Sequence, residues 1–273
     1  MNEDERRSAS FERRLDERLA TRIEPFRWGT AYFDLEFPRR YASNFLSVQG
    51  SPPDITADGL IAEADRIMGA AGLAHRNVMV DDQALAQLIG IRFAELGWDL
   101  DAHRLMVVRR EADRMRELPP VEELPFVRVR PLLVEINRRE PWATDEEIAA
   151  VLADYRGKLE REVGTRFFVA HVDGRPAGVC ELYVQGDEAQ VESVTTLEEF
   201  RGRGVGSAVV LGAVAAAREA GATWIHLHAD ANDWPRHWYG RLGFEDAGGF
   251  TGFLRWPEGH RPEGHARPSE DQA

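Results

Sequence analysis

The amino-acid sequence predicts an α/β (α+β) protein, in which helices flank a mixed, mostly antiparallel sheet. An Asp-Gly pair at 173–174 joins two alternating apolar runs, which is typical of a tight hairpin. Apolar residues then recur every three or four positions over 205–220, which indicates an amphipathic helix. The apolar run TWIHLHA at 223–229 follows it and predicts a buried strand. A meander pairs its strands antiparallel, and a strand that follows a crossover helix pairs in parallel. This order of elements therefore predicts a mixed sheet.

The elements around this region follow from the same patterns. The Pro- and Glu-rich stretch ELPPVEELP has no periodicity and predicts a linker at 118–125. The elements predicted after it are a strand over 126–132, a helix over about 144–162, and strands over 166–172, 175–185 and 189–196. The helix over 205–220 is capped by Gly221, and a helix over about 234–242 and a strand over 250–256 complete the order.

The N-terminal half contains a fainter copy of the later elements. HRNVMV at 75–80 resembles the strand at 223–229, and the helical pattern at 82–98 resembles the one that ends in LGF. HRLMVVRR at 103–110 resembles the closing strand. The predicted organisation is a charged segment at 1–20, a first domain at 21–117, the linker, a second domain at 126–257 and a disordered tail at 258–273.

Composition narrows the class of protein. The net charge of −13, with 47 acidic and 34 basic residues, disfavours nucleic acids and anionic membranes as partners. The chain has no apolar run long enough for a membrane helix and no signal-peptide pattern at its start, so we expect a cytoplasmic protein. Its single cysteine, Cys180, excludes an internal disulfide, and no Cys/His spacing predicts a metal site.

The segment RGRGVG at 201–206 predicts a close approach of the backbone to a ligand. A nucleoside-triphosphate loop would need Lys-Ser/Thr after the glycines, where the chain has SAVV. A dinucleotide fingerprint would need glycine where Ser207 stands. The pattern Arg-x-x-Gly-x-Gly before a helix instead suits a pyrophosphate held by backbone N–H groups. A glycine-rich turn that binds nothing is the alternative.

A second motif, NDWPRHWYGRLGF at 232–244, follows at a short distance. Together with Arg-x-x-Gly-x-Gly it resembles the GNAT superfamily of acyl-CoA-dependent N-acyltransferases. The resemblance covers about 126–257, roughly half the chain, in motif order and in element order. Pro235, where the family usually has alanine, and Glu198, where many members have proline, are departures that a helix start and a loop tolerate.

The resemblance implies the GNAT fold and acetyl-CoA as the acyl donor. It implies that the strand before the loop pairs with the pantetheine arm, that backbone N–H groups of the loop hold the pyrophosphate, and that Asn232 contacts the cofactor arm. The implied cofactor-binding residues are Val194, Thr195, Thr196, Arg201, Gly202, Arg203, Gly204, Val205, Gly206, Ser207 and Asn232.

The implied reaction is attack of a neutral amine on an acetyl thioester. An alkyl amine has a pKa of about 10.4 and needs a base at neutral pH, and the departing thiolate benefits from a proton donor. Tyr239 matches the tyrosine that many members use as the donor. Glu192 is predicted as the base because it lies two residues before Val194 and therefore on the same strand face. An N–H of that strand, that of Val194, would stabilise the oxyanion.

Alternatives to these roles remain open in the sequence. Glu181, Glu188, Asp230 and a water relay compete with Glu192 as the base. Cys180 and the pair His226 and His228, which share one strand face, are predicted to be core residues.

The first domain is predicted to be a degenerate GNAT-like repeat. Phe93 stands where the second domain has Tyr239, and no Arg-x-x-Gly-x-Gly precedes the helix at 58–71. The predicted function is direct acetyl transfer by the second domain to a small-molecule amine, a peptide or protein N-terminus, or a lysine. We expect a monomer or homodimer without a metal. The alternatives are a non-catalytic acyl-CoA-binding or regulatory module and an interaction protein with an empty loop.

Overall fold

The structure is a computed structural model that describes residues 1–113, 117–140, 143, 145–231 and 235–261, with the side chains of 235 and 236 excepted. The helices are α1 (Glu3–Leu19), α2 (Ala57–Ala70), α3 (Gln83–Glu95), α4 (Phe126–Arg138), α5 (Glu146–Val163), α6 (Val205–Glu219) and α7 (Pro235–Arg241). The strands are β1 (Arg22–Phe26), β2 (Gly29–Phe33), β3 (Asn44–Val48), β4 (Arg76–Val80), β5 (Asp99–Val108), β6 (Val121–Leu124), β7 (Arg166–Val172), β8 (Arg175–Gln185), β9 (Glu188–Thr196), β10 (Trp224–Asp230) and β11 (Phe244–Arg255).

The chain divides into two compact units. Unit 1 comprises Met1–Ala9, Ala20–His103 and the chain from Gly249 onward, and unit 2 comprises Ser10–Leu19 and Arg104–Gly248. These borders cut through α1, β5 and β11. They therefore differ from the predicted domain borders, which local sequence patterns placed between elements.

Unit 1 has the strand order β1-β2-β3-β4-β11. The pairs β1–β2, β2–β3 and β4–β11 are antiparallel, and β3–β4 is parallel. Leu60, Ala64 and Met68, at helical spacing on α2, are fully buried in its core with Leu46 and Val78 of the sheet.

Unit 2 has the strand order β5-β10-β9-β8-β7-β6. The pair β10–β9 is parallel, and the ladders β9–β8, β8–β7 and β7–β6 are antiparallel. Both units contain a three-stranded meander, a helix, a strand parallel to the third strand, and a further helix. The sheet is mixed and mostly antiparallel, as the sequence predicts.

Several predicted turns and caps are confirmed. The hairpin between β7 and β8 turns at Asp173 and Gly174, with φ of 52° and 76°, the left-handed values that an Asp-Gly turn requires. Helix α5, predicted over about 144–162, begins at Glu146 after the N-cap Asp145, which was not predicted and whose side chain accepts a hydrogen bond from the N–H of Ile148 at 2.9 Å. Helix α6 ends before Gly221, which has a φ of 93°.

The prediction of a strand over 126–132 is wrong, because this segment begins α4. The alternation in seven residues also fits one side of a helix. The buried residues Val129, Leu132, Leu133 and Ile136 continue at spacings of three and four beyond the predicted strand.

The segment predicted as a linker contains a strand. Strand β6 pairs with β7, with Val121 opposite Ala170 and Leu124 opposite Phe167. Four residues are too few to show a period, and the flanking prolines and glutamates concealed them. Within the described part of the chain, no helix is long and apolar enough to cross a membrane.

Candidate active site

A bulge distorts β9 in the middle of the predicted site. Val179 of β8 pairs with Thr195 and Glu181 pairs with Glu192, so Ser193 and Val194 together stand opposite the single residue Cys180. Ser193 has a φ of 53°, which is uncommon for a residue other than glycine. No sequence signal marks this bulge, and the sequence prediction treated β9 as a regular strand.

Strands β9 and β10 are paired only over their first residues. The ladder joins Trp224–His226 to Glu188–Gln190, and the register includes no later residue of either strand, although both are described throughout. From Val191 onward, the backbone of β9 therefore presents a strand edge on the β10 side. Such an edge can hydrogen-bond an extended amide-containing ligand in the manner of an added strand. Val194, Thr195 and Thr196 lie on this stretch and are all partly exposed.

The loop that follows β9 brings backbone N–H groups to the start of α6. Gly202 and Gly204 have φ of 75° and 78°, and Gly204 is the N-cap of α6 without a side-chain capping bond. The first N–H groups of any helix have no intrahelical acceptor, and the helix dipole places positive potential there. Those of α6 belong to Val205, Gly206 and Ser207. This end of α6 suits an anion.

The glycines of this loop lie so close to neighbouring side chains that an added methyl group would crowd them. A Cβ on Gly206 would lie 3.1 Å from the Trp238 ring and 3.5 Å from Thr196 Oγ1. A Cβ on Gly204 would lie 3.0 Å from Leu118 Cδ2, at a φ that disfavours any side chain. Arg201 and Arg203 are exposed beside the loop, and Arg203 also forms an ion pair with Asp173 at 3.1 Å. The residues present therefore fit a pyrophosphate group.

Tyr239 lies on α7 with its ring in the core of unit 2. Its ring centroid is 4.6 Å from that of Trp238 and 5.8 Å from that of Phe244. Burial and, next, the negative charge of Glu192 raise the pKa of the Tyr239 hydroxyl well above its usual value. The hydroxyl therefore stays protonated at neutral pH, the form that can donate a hydrogen bond.

Glu192 lies on β9 next to the bulge, on the sheet face that it shares with its cross-strand partner Glu181. It is partly exposed, and Gln190 Nε2 donates to its Oε2 at 3.2 Å. Its charge reaches Tyr239 strongly enough to raise the pKa of that hydroxyl. The two residues come from different elements, and their roles as base and proton donor stay predictions.

Glu181, a rival for the role of base, is already engaged. Its carboxylate is 1% exposed, and it accepts hydrogen bonds from Arg156 Nε at 2.9 Å and from the Tyr183 hydroxyl at 2.5 Å. Arg156 also donates to Ser193 Oγ at 3.3 Å, so this network supports the bulge. Protonation of Glu181 would break a buried ion pair, which makes it a poor base.

The other predicted residues have clear positions. Glu188 forms an ion pair with Arg14 of α1, and Asp230 is exposed at the end of β10. Asn232 lies outside the described residues.

Cys180 is fully buried, and its thiol donates a hydrogen bond to the Val209 carbonyl at 3.3 Å. Burial raises the pKa of this thiol, as expected for a core residue. The sequence prediction did not include Arg156 or Ser193, nor the contact between Trp238 and Ser207; only the tertiary fold brings these residues to their partners.

Comparison with known proteins gives a family match over part of the chain. Residues 127–244 match the model of the acetyltransferase (GNAT) family. An uncharacterized N-acetyltransferase of Methanocaldococcus jannaschii is 32% identical over 97 residues, which cover 33% of this chain and 43% of the relative. The chain therefore spans less than half the length of that relative.

Solved structures resemble the fold over most of the chain. A functionally unknown conserved protein from Staphylococcus epidermidis has a TM-score of 0.67 and 18% identity, covering 86% of this chain and 94% of its own. A GCN5-related N-acetyltransferase from Kribbella flavida has a TM-score of 0.65 and 18% identity, covering 95% and 98%. At these identities the likeness shows the fold.

Proposed function

Residues 127–244 form an acetyltransferase domain of the GNAT family, and we propose that this domain transfers an acetyl group from acetyl-CoA directly to the amine of an acceptor. The observation that carries the proposal is the N-terminus of α6, which has no side-chain cap, directly after the strand β9 with its open edge. Glu192 is a residue of β9, and its charge acts on the Tyr239 hydroxyl. The acceptor would be a small-molecule amine, a peptide or protein N-terminus, or a lysine.

The two ends of the site would bind different parts of acetyl-CoA. The N–H groups from Gly202 to Ser207 would hold the pyrophosphate. The N–H of Arg201 donates to the Glu198 carbonyl at 3.1 Å, so Arg201 would add positive charge through its side chain. The backbone of Val194–Thr196 would pair with the amides of the pantetheine arm. Acetyl-CoA supplies the activated acetyl thioester.

The side chains then assist the transfer. Glu192 accepts the proton that the amine loses as its nitrogen bonds to the acetyl carbon and the carbon–sulfur bond breaks. The Tyr239 hydroxyl donates a hydrogen bond to the departing thiolate, which has a pKa of about 8.5 when free. The N–H of Val194 stabilises the negative oxygen of the reacting carbonyl. Among the residues of the site that the structure describes, none is positioned as a nucleophile, which supports direct transfer.

Two measurements on the full chain test the proposal. Calorimetry with acetyl-CoA tests the loop, and thiol release over a panel of small amines, antibiotics, peptide N-termini and lysine peptides tests the transfer. We expect saturable binding and acceptor-dependent thiol release. Binding without release for any acceptor would favour the non-catalytic acyl-CoA-binding alternative. No binding at millimolar acetyl-CoA would contradict both.

We extend the proposal to unit 1 as a degenerate repeat without a cofactor site. Helix α2, the counterpart of α6, is capped by Thr56, whose Oγ1 accepts from the N–H of Gly59 at 3.1 Å. Phe93 is fully buried against Trp98 and Phe253 and has no hydroxyl to donate. Calorimetry should therefore give one acetyl-CoA per chain, and a second site would contradict this part of the proposal.

A further inference from the structure

Three side chains with metal-binding atoms gather within unit 2, on the face of β10 that carries His226 and His228. Glu12 joins them from the Ser10–Leu19 part of α1, and one ligand atom of each residue lies within 4.8 Å of the other two. Glu12 Oε1 is 3.9 Å from His226 Nε2 and 3.7 Å from His228 Nδ1. Glu12 is separated from the histidines by most of the chain, so no spacing in the sequence could reveal the group.

The hydrogen bonds around His226 orient a lone pair toward the centre of this group. His226 Nδ1 lies 3.0 Å from the carbonyl oxygen of Ala189, which can only accept, so Nδ1 carries the proton. In the neutral ring, Nε2 then carries the lone pair, and Nε2 is the nitrogen that faces Glu12. Metal-binding histidines commonly donate their second ring N–H to a backbone carbonyl in this way.

His228 presents the matching atom. Gln190 Nε2, an amide donor, lies 3.4 Å from His228 Nδ1, which is therefore an acceptor and has its lone pair available. The contact is long, and Gln190 Nε2 is nearer to Glu192 Oε2, at 3.2 Å. A cation could take the place of this weak contact while Gln190 keeps its bond to Glu192.

Two of the three separations, those from Glu12 to the histidines, approach the values of a tetrahedral zinc site, and the two histidine nitrogens lie within 4.8 Å of each other. Zn–N and Zn–O distances of about 2.0–2.2 Å place ligand atoms about 3.4 Å apart. The observed 3.7 and 3.9 Å exceed that value by amounts that a small rotation of the Glu12 side chain removes. Two histidines and one glutamate form a familiar zinc-binding set that leaves a fourth position for water.

The surroundings hold the group in place and leave it one route to solvent. His226 is fully buried, and its ring stands edge-to-face with that of Phe11 at 5.0 Å. His228 has 9% of its side chain exposed and Glu12 has 35%, so the cluster opens to water on the side of α1. A bound ion would cross-link α1 to β10.

The geometry points to a divalent metal site for Zn²⁺ or a similar transition-metal ion, formed by Glu12, His226 and His228. Its role is to fix the Ser10–Leu19 segment on the sheet of unit 2. The site runs against the sequence expectation of a chain without a metal.

The test measures metal binding by the full chain after chelator treatment and does not depend on turnover. Titration with Zn²⁺ by calorimetry, and with Co²⁺ by its visible absorption, should show one saturable site per chain with a tetrahedral Co²⁺ spectrum. Zn²⁺ should also raise the melting temperature. Glu12→Gln and His228→Gln should each weaken binding by at least about tenfold and remove the spectrum.

Matched controls separate this site from the other histidines and acids of the chain. Glu17→Gln changes an exposed acid on the same helix, and His171→Gln changes a partly exposed strand histidine of the same unit. Both should bind Zn²⁺ like the unaltered chain. The proposal is wrong if the unaltered chain has no stoichiometric site, or if either ligand variant, shown to be folded by circular dichroism, keeps full affinity. In that case the cluster is a proton-linked His–Glu contact only.

Discussion

The indole N–H of Trp238 donates a hydrogen bond to the Ser207 hydroxyl at 3.0 Å. This bond joins α7, which carries Tyr239, to the first turn of α6, which presents the proposed pyrophosphate site. The ring of Trp238 also lies against the position of a Gly206 Cβ. The Trp238 side chain therefore links the helix that carries Tyr239, the proposed proton donor, to the N-terminus of α6, the proposed pyrophosphate site.

Trp238→Phe should loosen this connection while keeping an aromatic ring. Loss of one such hydrogen bond costs about 1 kcal/mol. We expect a higher KM for acetyl-CoA and a lower kcat together, because both ends of the site shift. A double-mutant cycle with Ser207→Ala measures the coupling, and strictly additive effects would contradict the connection.

Tyr239→Phe should lower kcat by about 10²-fold and leave acetyl-CoA affinity unchanged. Because burial and Glu192 raise the pKa of Tyr239, its hydroxyl stays protonated past pH 10, the ordinary titration point of tyrosine. The substitution should therefore lower the rate equally across pH 6–9 without moving either limb of the profile. Tyr155→Phe, which changes a buried tyrosine of α5, is the control and should leave kcat unchanged. An unchanged kcat in Tyr239→Phe would show that Tyr239 is not the donor to the departing thiolate.

Glu192→Gln should lower kcat by about 10²-fold and abolish the acidic limb of the kcat/KM profile, because an amide cannot accept the proton. Its Gln190 contact can be kept, so the fold should persist. Glu219→Gln, an exposed acid on α6, is the matched control. If the kcat/KM profile of Glu192→Gln keeps its acidic limb, a group other than Glu192 is the base.

Glu181→Gln should act on stability, since it leaves the Arg156 guanidinium without its buried counter-charge. We expect a loss of about 3 kcal/mol in the free energy of unfolding, measured in urea. Glu123→Gln, which removes the exposed partner of Arg166, should cost under about 1 kcal/mol. Equal losses in the two variants would show that the Glu181 network has no special role.

Gly204→Ala should weaken acetyl-CoA binding by at least about tenfold, because its Cβ would lie 3.0 Å from Leu118 Cδ2 at a left-handed φ, and relief of this strain would shift the first N–H groups of α6. Gly221→Ala, at the other end of α6, imposes a similar backbone strain with no heavy atom within 4 Å of the added Cβ. Calorimetry on both variants distinguishes a local effect on the site from general strain. Equal affinities would mean that the loop does not hold the ligand.

The stability of unit 1 should fall as the pH falls below about 6.5, the ordinary pKa of histidine. Burial lowers the pKa of His75 to about 4, although its Nε2 contact with the Asn44 carbonyl opposes the shift. The unfolded chain therefore binds a proton that the folded chain does not. The free energy of unfolding should fall by about 2 kcal/mol between pH 7 and pH 5. Hydrogen exchange of the β4 amides measures this loss. His75→Gln should flatten the dependence, and an unchanged slope would contradict it.

Much of the site could be predicted because its chemistry lies in short motifs. Arg201–Ser207 and Tyr239 stand in patterns whose residue types have direct physical reasons, namely absent side chains near an anion and a hydroxyl near a leaving group. The strand at 126–132 could not be distinguished from a helix, because seven residues fit both periods. The Ser193 bulge could not be predicted at all, since an ordinary serine is held there by its partners Cys180 and Arg156.

By itself the sequence determined the α/β class, the meander before α6, the glycine loop and the identity of Tyr239, because these depend on neighbouring residues in the chain. Only the tertiary structure decided which carboxylate is buried and which is partly exposed, since Glu181 is bonded to Arg156 and Tyr183 while Glu192 stays partly exposed. It also brought Glu12 to His226 and His228. Long-range packing makes these contacts, and no local pattern contains them.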